Sequence, residues 1–212
     1  MEATRIVAIR HGETAWNAES RLQGQLDIPL NARGRAQAAT LAGALRDEGL
    51  AAVYASDLGR AWETAQALAG PLALPLAAET GLRERCFGML EGLTYAQIDR
   101  DWPELARRWR LREPDFAPEG AESLNRFHAR CVATVERLAQ AHPGQAIALV
   151  CHGGVLDSLY RAATRIALDM PRTWVLGNAG INRLLCTAQG FTLVGWNDAA
   201  HLDGLAIDEA PA

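Results

Sequence analysis

The sequence predicts an α/β protein: a three-layer α/β/α sandwich with a mainly parallel central sheet and a small helical lid. Three observations lead there. Short apolar, β-branched runs, RIVAIR (5–10), AAVYAS (51–56) and AIALVC (146–151), alternate with longer stretches of helical spacing, the pattern of parallel strands covered by helices on both faces. The alternation is interrupted between about residues 94 and 122 by short helical segments and a proline-rich loop, which reads as a lid inserted into a single domain spanning 1–212. Near the C-terminus, NRLLCTA and FTLVGW are spaced as a terminal hairpin.

Each element has a local cause. NARGRAQAATLAGALRDEGL (31–50) has apolar residues at helical spacing, with Asn31 as cap and Gly49 as stop. Asp57 is expected to cap a helix that runs to about Ala69, and LPLAAE after it is a brief extended piece. TGLRERCFGMLEGL reads as irregular. Thr94 and Gln97 have capping-box spacing, and Pro103 suits the first turn of a helix through about Leu111. REPDFAPEGAE is a loop, and a long helix follows from about Ser123 to Ala141. The tail LAIDEAPA is expected to fray.

With 212 residues and nearly half of them apolar, the chain can bury a substantial core. A formal charge of −4 argues against a protein that wraps nucleic acid or lies on anionic lipid. The N-terminal apolar run is too short for a signal peptide, and no window has the length of a spanning helix. Cys86, Cys131, Cys151 and Cys186 are dispersed without a CxxC pair, as in reduced thiols of a cytoplasmic protein.

The chemistry is concentrated at strand ends, where open α/β sheets bind ligands. RIVAIR runs into His11–Gly12, AIALVC into His152–Gly153, and the strand 51–56 is followed by SDLGR. If these strands are parallel neighbours, His11 and His152 meet at one edge with Arg10 and Arg60. Four potential cations in one volume call for an anion, and arginine forks fit phosphate oxygens. The residues therefore point to a phosphate or sulfate site holding an imidazole able to act as a nucleophile.

These segments also resemble, in order, a known family. RHGETAWN resembles the Arg-His-Gly signature of the histidine phosphatase superfamily, which includes the cofactor-dependent phosphoglycerate mutases. SRLQGQLDIPLNARGRAQA resembles the segment that follows the signature. VYASDLGRAWETA, LRERCFGMLEGLT, ALVCHGGVL and WNDAAHL are similar to later elements of the same family. The resemblance implies that His11 attacks phosphorus and becomes phosphohistidine. Arg10, Arg60 and His152 would hold the phosphoryl oxygens, and Glu84 would serve as acid and then base. It implies that Asn17 contacts phosphate and that Gln23 and Gly24 lie near the substrate. Charge from the arginines and His152 takes the place of a metal, so no cofactor is expected.

Other signals are weaker. Cys151 should point away from the His152 face, because successive strand residues alternate, and reads as a core thiol. A metal site from His11, His152, His201 and Glu84 lacks HxH or HExxH spacing, and His201 reads as structural. No dinucleotide or P-loop glycine pattern follows a strand. ARRWRLR (106–112) reads as a solvated helix face, with a lid presenting Arg107 or Arg108 to substrate as the alternative; Trp102, Trp109 and Phe116 fit lid packing or an apolar wall equally.

The mutases of this family resemble one another in a long basic insertion after the glutamate. This chain has the short RERCFGMLEGLT form, similar to the phosphatase branch. The expected activity is metal-independent hydrolysis of a small phosphorylated metabolite, with a phosphoglycerate mutase as the runner-up. A non-catalytic phosphate-binding module ranks below both, because His11, Glu84 and both arginines are all present. Analogy with relatives admits a homodimer.

Overall fold

In the computed structural model, which describes residues 2–205, β1 (Thr4–Arg10) is central and pairs in parallel with β4 (Ala146–Cys151). On the far side of β4 lies β2 (Leu50–Ala55), also parallel, followed by the short β3 (Leu76–Ala78) at that edge. On the other side of β1, the hairpin β5 (Ile181–Thr187) and β6 (Gly190–Asp198) completes a six-stranded sheet of order β3-β2-β4-β1-β5-β6. Four parallel strands and an antiparallel hairpin make the sheet mixed but mainly parallel, as expected.

Strand alternation produces two cores. Ile6, Ala8, Ile147, Leu149 and Cys151 face α6 (Leu124–Gln140) and α7 (Gly153–Thr164). Val7, Ile9, Ala148 and Val150 face α2 (Ala32–Ala44) and α3 (Gly59–Ala69). Burial on both faces explains why the strands read as continuous apolar runs rather than alternating ones. Each Val, Leu or Ile among them contributes about 1.5–3 kcal/mol when withdrawn from water. Cys151 sits in the first core, as its parity requires.

Local signals account for most boundaries. Asn31 caps α2 by accepting from the Gly34 N–H at 2.7 Å. The helix stops at Ala44, a turn over Arg46–Glu48 follows, and Gly49 ends it with φ +62°. Thr94 and Gln97 form the expected capping box at the start of α4 (Tyr95–Asp101), and Pro103 opens α5 (Pro103–Arg110). Asp57, however, does not cap α3. Its carboxylate is held by Arg83 in a two-pronged ion pair, and the Gly59 N–H donates instead to Asp27 at 2.7 Å. A bidentate guanidinium outcompetes a single backbone donor for the same carboxylate.

α4 and α5 pack on each other and on the segments around Leu22 and Leu90, in a small core of Leu22, Leu90, Ile98 and Ala106 with Phe87 and Trp109 against it, separate from the two sheet cores. Only a four-residue helix, α1 (Ala15–Ala18), follows Gly12–Glu13, capped by Thr14. Among the described residues, no helix is long and apolar enough to cross a membrane. The tail expected to fray lies, but for Leu205, outside the described residues.

Candidate active site

Because Arg10 and Cys151 are register partners, the next residues, His11 and His152, leave the sheet side by side. Parity continues the run of Ile9 and Val150 toward the α2–α3 face, so both imidazoles emerge on the side of Arg60. Their ring centroids are 5.1 Å apart. Both are almost wholly buried, and Arg60, one turn into α3, is 1% exposed.

The backbone at His11 is closely fitted. A Cβ on Gly12 would stand 2.3 Å from the Gly34 carbonyl oxygen, and one on Gly34 would stand 2.1 Å from that of Glu13. Two glycines thus let the first turn of α2 press directly on the residues after the first histidine. The Gly12 N–H donates to Thr64 at 3.0 Å, tying the same turn to α3.

His11 Nδ1 lies 2.7 Å from the Gly12 carbonyl oxygen. A carbonyl only accepts, so Nδ1 carries the proton and Nε2 keeps its lone pair. Burial, then the neighbouring Arg60 and Arg10, hold the His11 pKa well below its ordinary 6.5. Burial, followed by Arg60, His11 and Arg10, does the same to His152. Burial also lowers Arg10 and Arg60 from the ordinary arginine value, partly offset by Glu84.

Backbone carbonyls aim the guanidiniums. Arg60 donates to Leu26 and Gly24 oxygens at 2.8 Å each, and Arg10 to Leu176 at 2.5 Å. Arg10 Nε and Arg60 Nε are buried without protein partners. Two such donors facing two imidazoles form an electropositive recess suited to a tetrahedral oxyanion. Glu84 stands on the wall, accepting from the Arg85 N–H at 2.9 Å and the Gly154 N–H at 3.1 Å.

A cavity of about 540 Å³ opens from this recess. Its lining includes Arg10, His11, Arg60, Glu84, Asn17, Gln23 and Gly24. His152 is not among the lining residues; it is buried beside His11, the two ring centroids 5.1 Å apart. Asn17 Oδ1 accepts from the Thr14 N–H and from the Asn178 side-chain amide. Gln23 keeps its buried Oε1 without a partner, and Gly24, at φ +54°, supplies a carbonyl to Arg60.

ARRWRLR is divided differently from either sequence reading. Arg107 pairs with Glu104, and Arg108 with Glu113 over the Phe116 ring; neither lines the cavity. Trp109 and Arg112 do, whereas Trp102 does not. Sequence reasoning missed Arg85, Arg112 and Arg172 on the far wall, together with Asp157 and His128. Arg85 is 6% exposed, stacks on Trp109 at 4.6 Å, and donates to backbone oxygens of Glu122 and Phe116. Burial, aided by Arg112, lowers its pKa to about 10. Its adjacency to Glu84 was the one available signal. His201 lies on a turn outside the cavity lining.

Comparison with known proteins follows this geometry. The chain is 37% identical over 207 residues to phosphoglycerate mutase-like protein 4 of Arabidopsis thaliana, covering 96% of this chain and 89% of that one. It is 35% identical over 209 residues to the metal-independent phosphoserine phosphatase of the same plant, covering 97% and 86%. Among solved structures, a mycobacterial glucosyl-3-phosphoglycerate phosphatase complexed with VO3 superposes with a TM-score of 0.81 at 35% identity, covering 92% and 98%. The family model for branch 1 of the histidine phosphatase superfamily matches residues 6–199. A strand-end pair of neutral imidazoles flanked by Arg10 and the buried Arg60, in a chain with these relatives, is that of a member of the histidine phosphatase superfamily, branch 1.

Proposed function

We infer that the protein is a phosphomonoesterase working through a phosphohistidine at His11. The observation that carries this reading is the protonation pattern at His11: Nδ1 is committed to the Gly12 carbonyl, leaving a nucleophilic Nε2 between two arginines. In the first step Nε2 attacks phosphorus and the P–O ester bond breaks. Glu84, in its protonated form, gives its proton to the departing alkoxide. In the second, water attacks phosphorus, Glu84 takes a proton from it, and the P–N bond breaks with its electron pair returning to Nε2.

Arg10, Arg60 and His152 stabilise the equatorial oxygens as charge redistributes. Asn17 supplies an amide to one oxygen, and Gln23 and Gly24 shape the adjoining wall. The two guanidiniums, with a hydrogen bond from neutral His152, provide the stabilisation that a metal gives elsewhere, and we propose that none is required. The relative from Arabidopsis thaliana described as metal-independent supports that reading.

We further propose a small phosphorylated metabolite bearing a carboxylate as substrate. Arg85 supports this: it is buried on the far wall and bonded to neutral carbonyls. The proposal extends to a cytoplasmic protein that engages neither nucleic acid nor membrane and is compatible with a homodimer.

The test is hydrolysis of p-nitrophenyl phosphate and a panel of phosphorylated metabolites in EDTA, with wild type and His11→Ala. Activity that persists in EDTA and disappears with His11→Ala is expected. Loss in EDTA would reject the metal-free mechanism, and full turnover by His11→Ala would reject the nucleophile. Interconversion of 3- and 2-phosphoglycerate with added 2,3-bisphosphoglycerate, faster than hydrolysis, would make the protein a mutase. Phosphate binding without turnover by wild type would make it a binding module.

A further inference from the structure

Ser56 immediately follows β2 and is fully buried. Its backbone N–H donates to the Val150 oxygen at 3.0 Å, which fixes it beside the end of β4. Its Oγ receives the Leu58 N–H at 3.3 Å and lies 2.9 Å from Nε2 of His152. The other ring nitrogen of His152, Nδ1, is buried with no partner among the described residues.

A serine hydroxyl has one proton to give, and a neutral imidazole has one donor and one acceptor nitrogen. Two arrangements are available. With the ring proton on Nδ1, the Ser56 O–H donates to Nε2 and a single group is left without a partner, the Nδ1–H. With the ring proton on Nε2, that N–H donates to Oγ. Both the Ser56 O–H and the Nδ1 lone pair are then stranded in a dry interior, because His152 is the acceptor within reach of this hydroxyl among the described contacts. Burying two orphans rather than one is the costlier arrangement. The imidazolium form is opposed by burial and by the adjacent Arg60, His11 and Arg10, so a donor at this position has to come from a neutral ring.

We propose that Ser56 is a positioning residue that fixes neutral His152 in the Nδ1–H tautomer, so that the imidazole meets a phosphoryl oxygen with a hydrogen-bond donor. The opposite tautomer would turn a lone pair toward an oxyanion and repel it. His152 then needs no extra proton to stabilise the transferring group, and within the Ser56–His152 pair Nδ1–H is the orphan that ligand binding satisfies. This assignment rests on the cavity being the phosphoryl site described above.

The experiment is a long-range proton–nitrogen correlation spectrum of the histidine rings in 15N-labelled protein at neutral pH. His152→Gln identifies the His152 signals. The expected wild-type pattern is pyrrole-type Nδ1 and pyridine-type Nε2, with the Hδ1 resonance moving downfield as inorganic phosphate is added. In Ser56→Ala the pattern should move toward Nε2–H. Its kcat/KM for p-nitrophenyl phosphate should fall roughly tenfold to a hundredfold, as expected for loss of one charge-assisted hydrogen bond in the transition state. Ser56→Thr, which keeps the hydroxyl, should retain the wild-type tautomer.

A wild-type Nε2–H tautomer would overturn the proposal, with no variant needed. So would Ser56→Ala that retains Nδ1–H, or an Hδ1 resonance indifferent to phosphate. Wild-type protein that binds phosphate with the expected spectra but hydrolyses nothing would refute the hydrolase reading while supporting the role of Ser56.

Discussion

Lowering the pH should destabilise the fold through the two active-site imidazoles, by an amount that the burial of His11 and His152 sets. Both pKa values lie well below 6.5 in the folded protein, through burial and neighbouring cations. An unfolded chain regains the ordinary value. The unfolded state therefore binds more protons below pH 6.5, so the stabilising contribution is complete above that pH and is lost as pH falls toward the folded values. At about pH 5.5, one unit under the unfolded pKa, the two histidines together cost roughly 3 kcal/mol.

The assay is urea unfolding at about pH 7.5 and about pH 5.5, comparing wild type with a His11→Asn, His152→Asn double variant. Other titrating groups, among them His128 and His201, are common to both proteins and cancel in the difference. Wild type should lose roughly 3 kcal/mol more than the variant, on the same linkage arithmetic. Saturating phosphate should shrink that excess, because a bound dianion lets the folded site accept protons. Equal losses in the two proteins would refute the claim that both rings are held neutral by the fold.

Other expectations follow from single contacts. Glu84→Gln should slow hydrolysis of an alkyl phosphate by about 10²–10⁴-fold, and less for p-nitrophenyl phosphate, whose leaving group needs little protonation; equal losses in stopped assays would remove Glu84 as the acid. Arg85→Met should raise KM about tenfold or more for phosphomonoesters carrying a carboxylate, the scale of one charged hydrogen bond, with a smaller change for p-nitrophenyl phosphate. Indifference of both KM values would move the carboxylate site elsewhere. Gly34→Ala should cost about 1–3 kcal/mol by overpacking, since its new Cβ would meet the Glu13 oxygen; unaltered thermal unfolding would show that α2 can shift freely.

What was legible in the sequence was what local chemistry determines. Apolar runs fix strands buried on both faces, Asn31 and Thr94 fix helix starts, and parity places Cys151 in the core. Residues at strand ends, His11 and His152 among them, follow directly once β1 and β4 are neighbours. What escaped depended on contacts between distant segments. Asp57 lost its capping role to Arg83, and Asp27, thirty-two residues from Gly59, took it over. The far wall was hidden for the same reason: Arg85, Arg112 and Arg172 share no spacing and converge only when the lid and the loop before β5 are both in place. Arg107 and Arg108 stand on a solvated helix face paired with nearby carboxylates, as the local charge cluster suggested, whereas Arg112 at the end of the same run reaches the cavity.

The strand order has a consequence for how the molecule comes into being during synthesis. β4 occupies the slot between β1 and β2 although some ninety residues separate it from β2 in the chain. Until residues 146–151 leave the ribosome, β1 and β2 each carry an unpaired apolar edge, a state prone to wrong pairing. The nascent chain up to that point already contains His11, Arg60 and Glu84, but nothing can hold the first histidine at its working height. Catalytic competence would therefore arise late and all at once, as the middle strand slides into a gap that its neighbours have had to keep open.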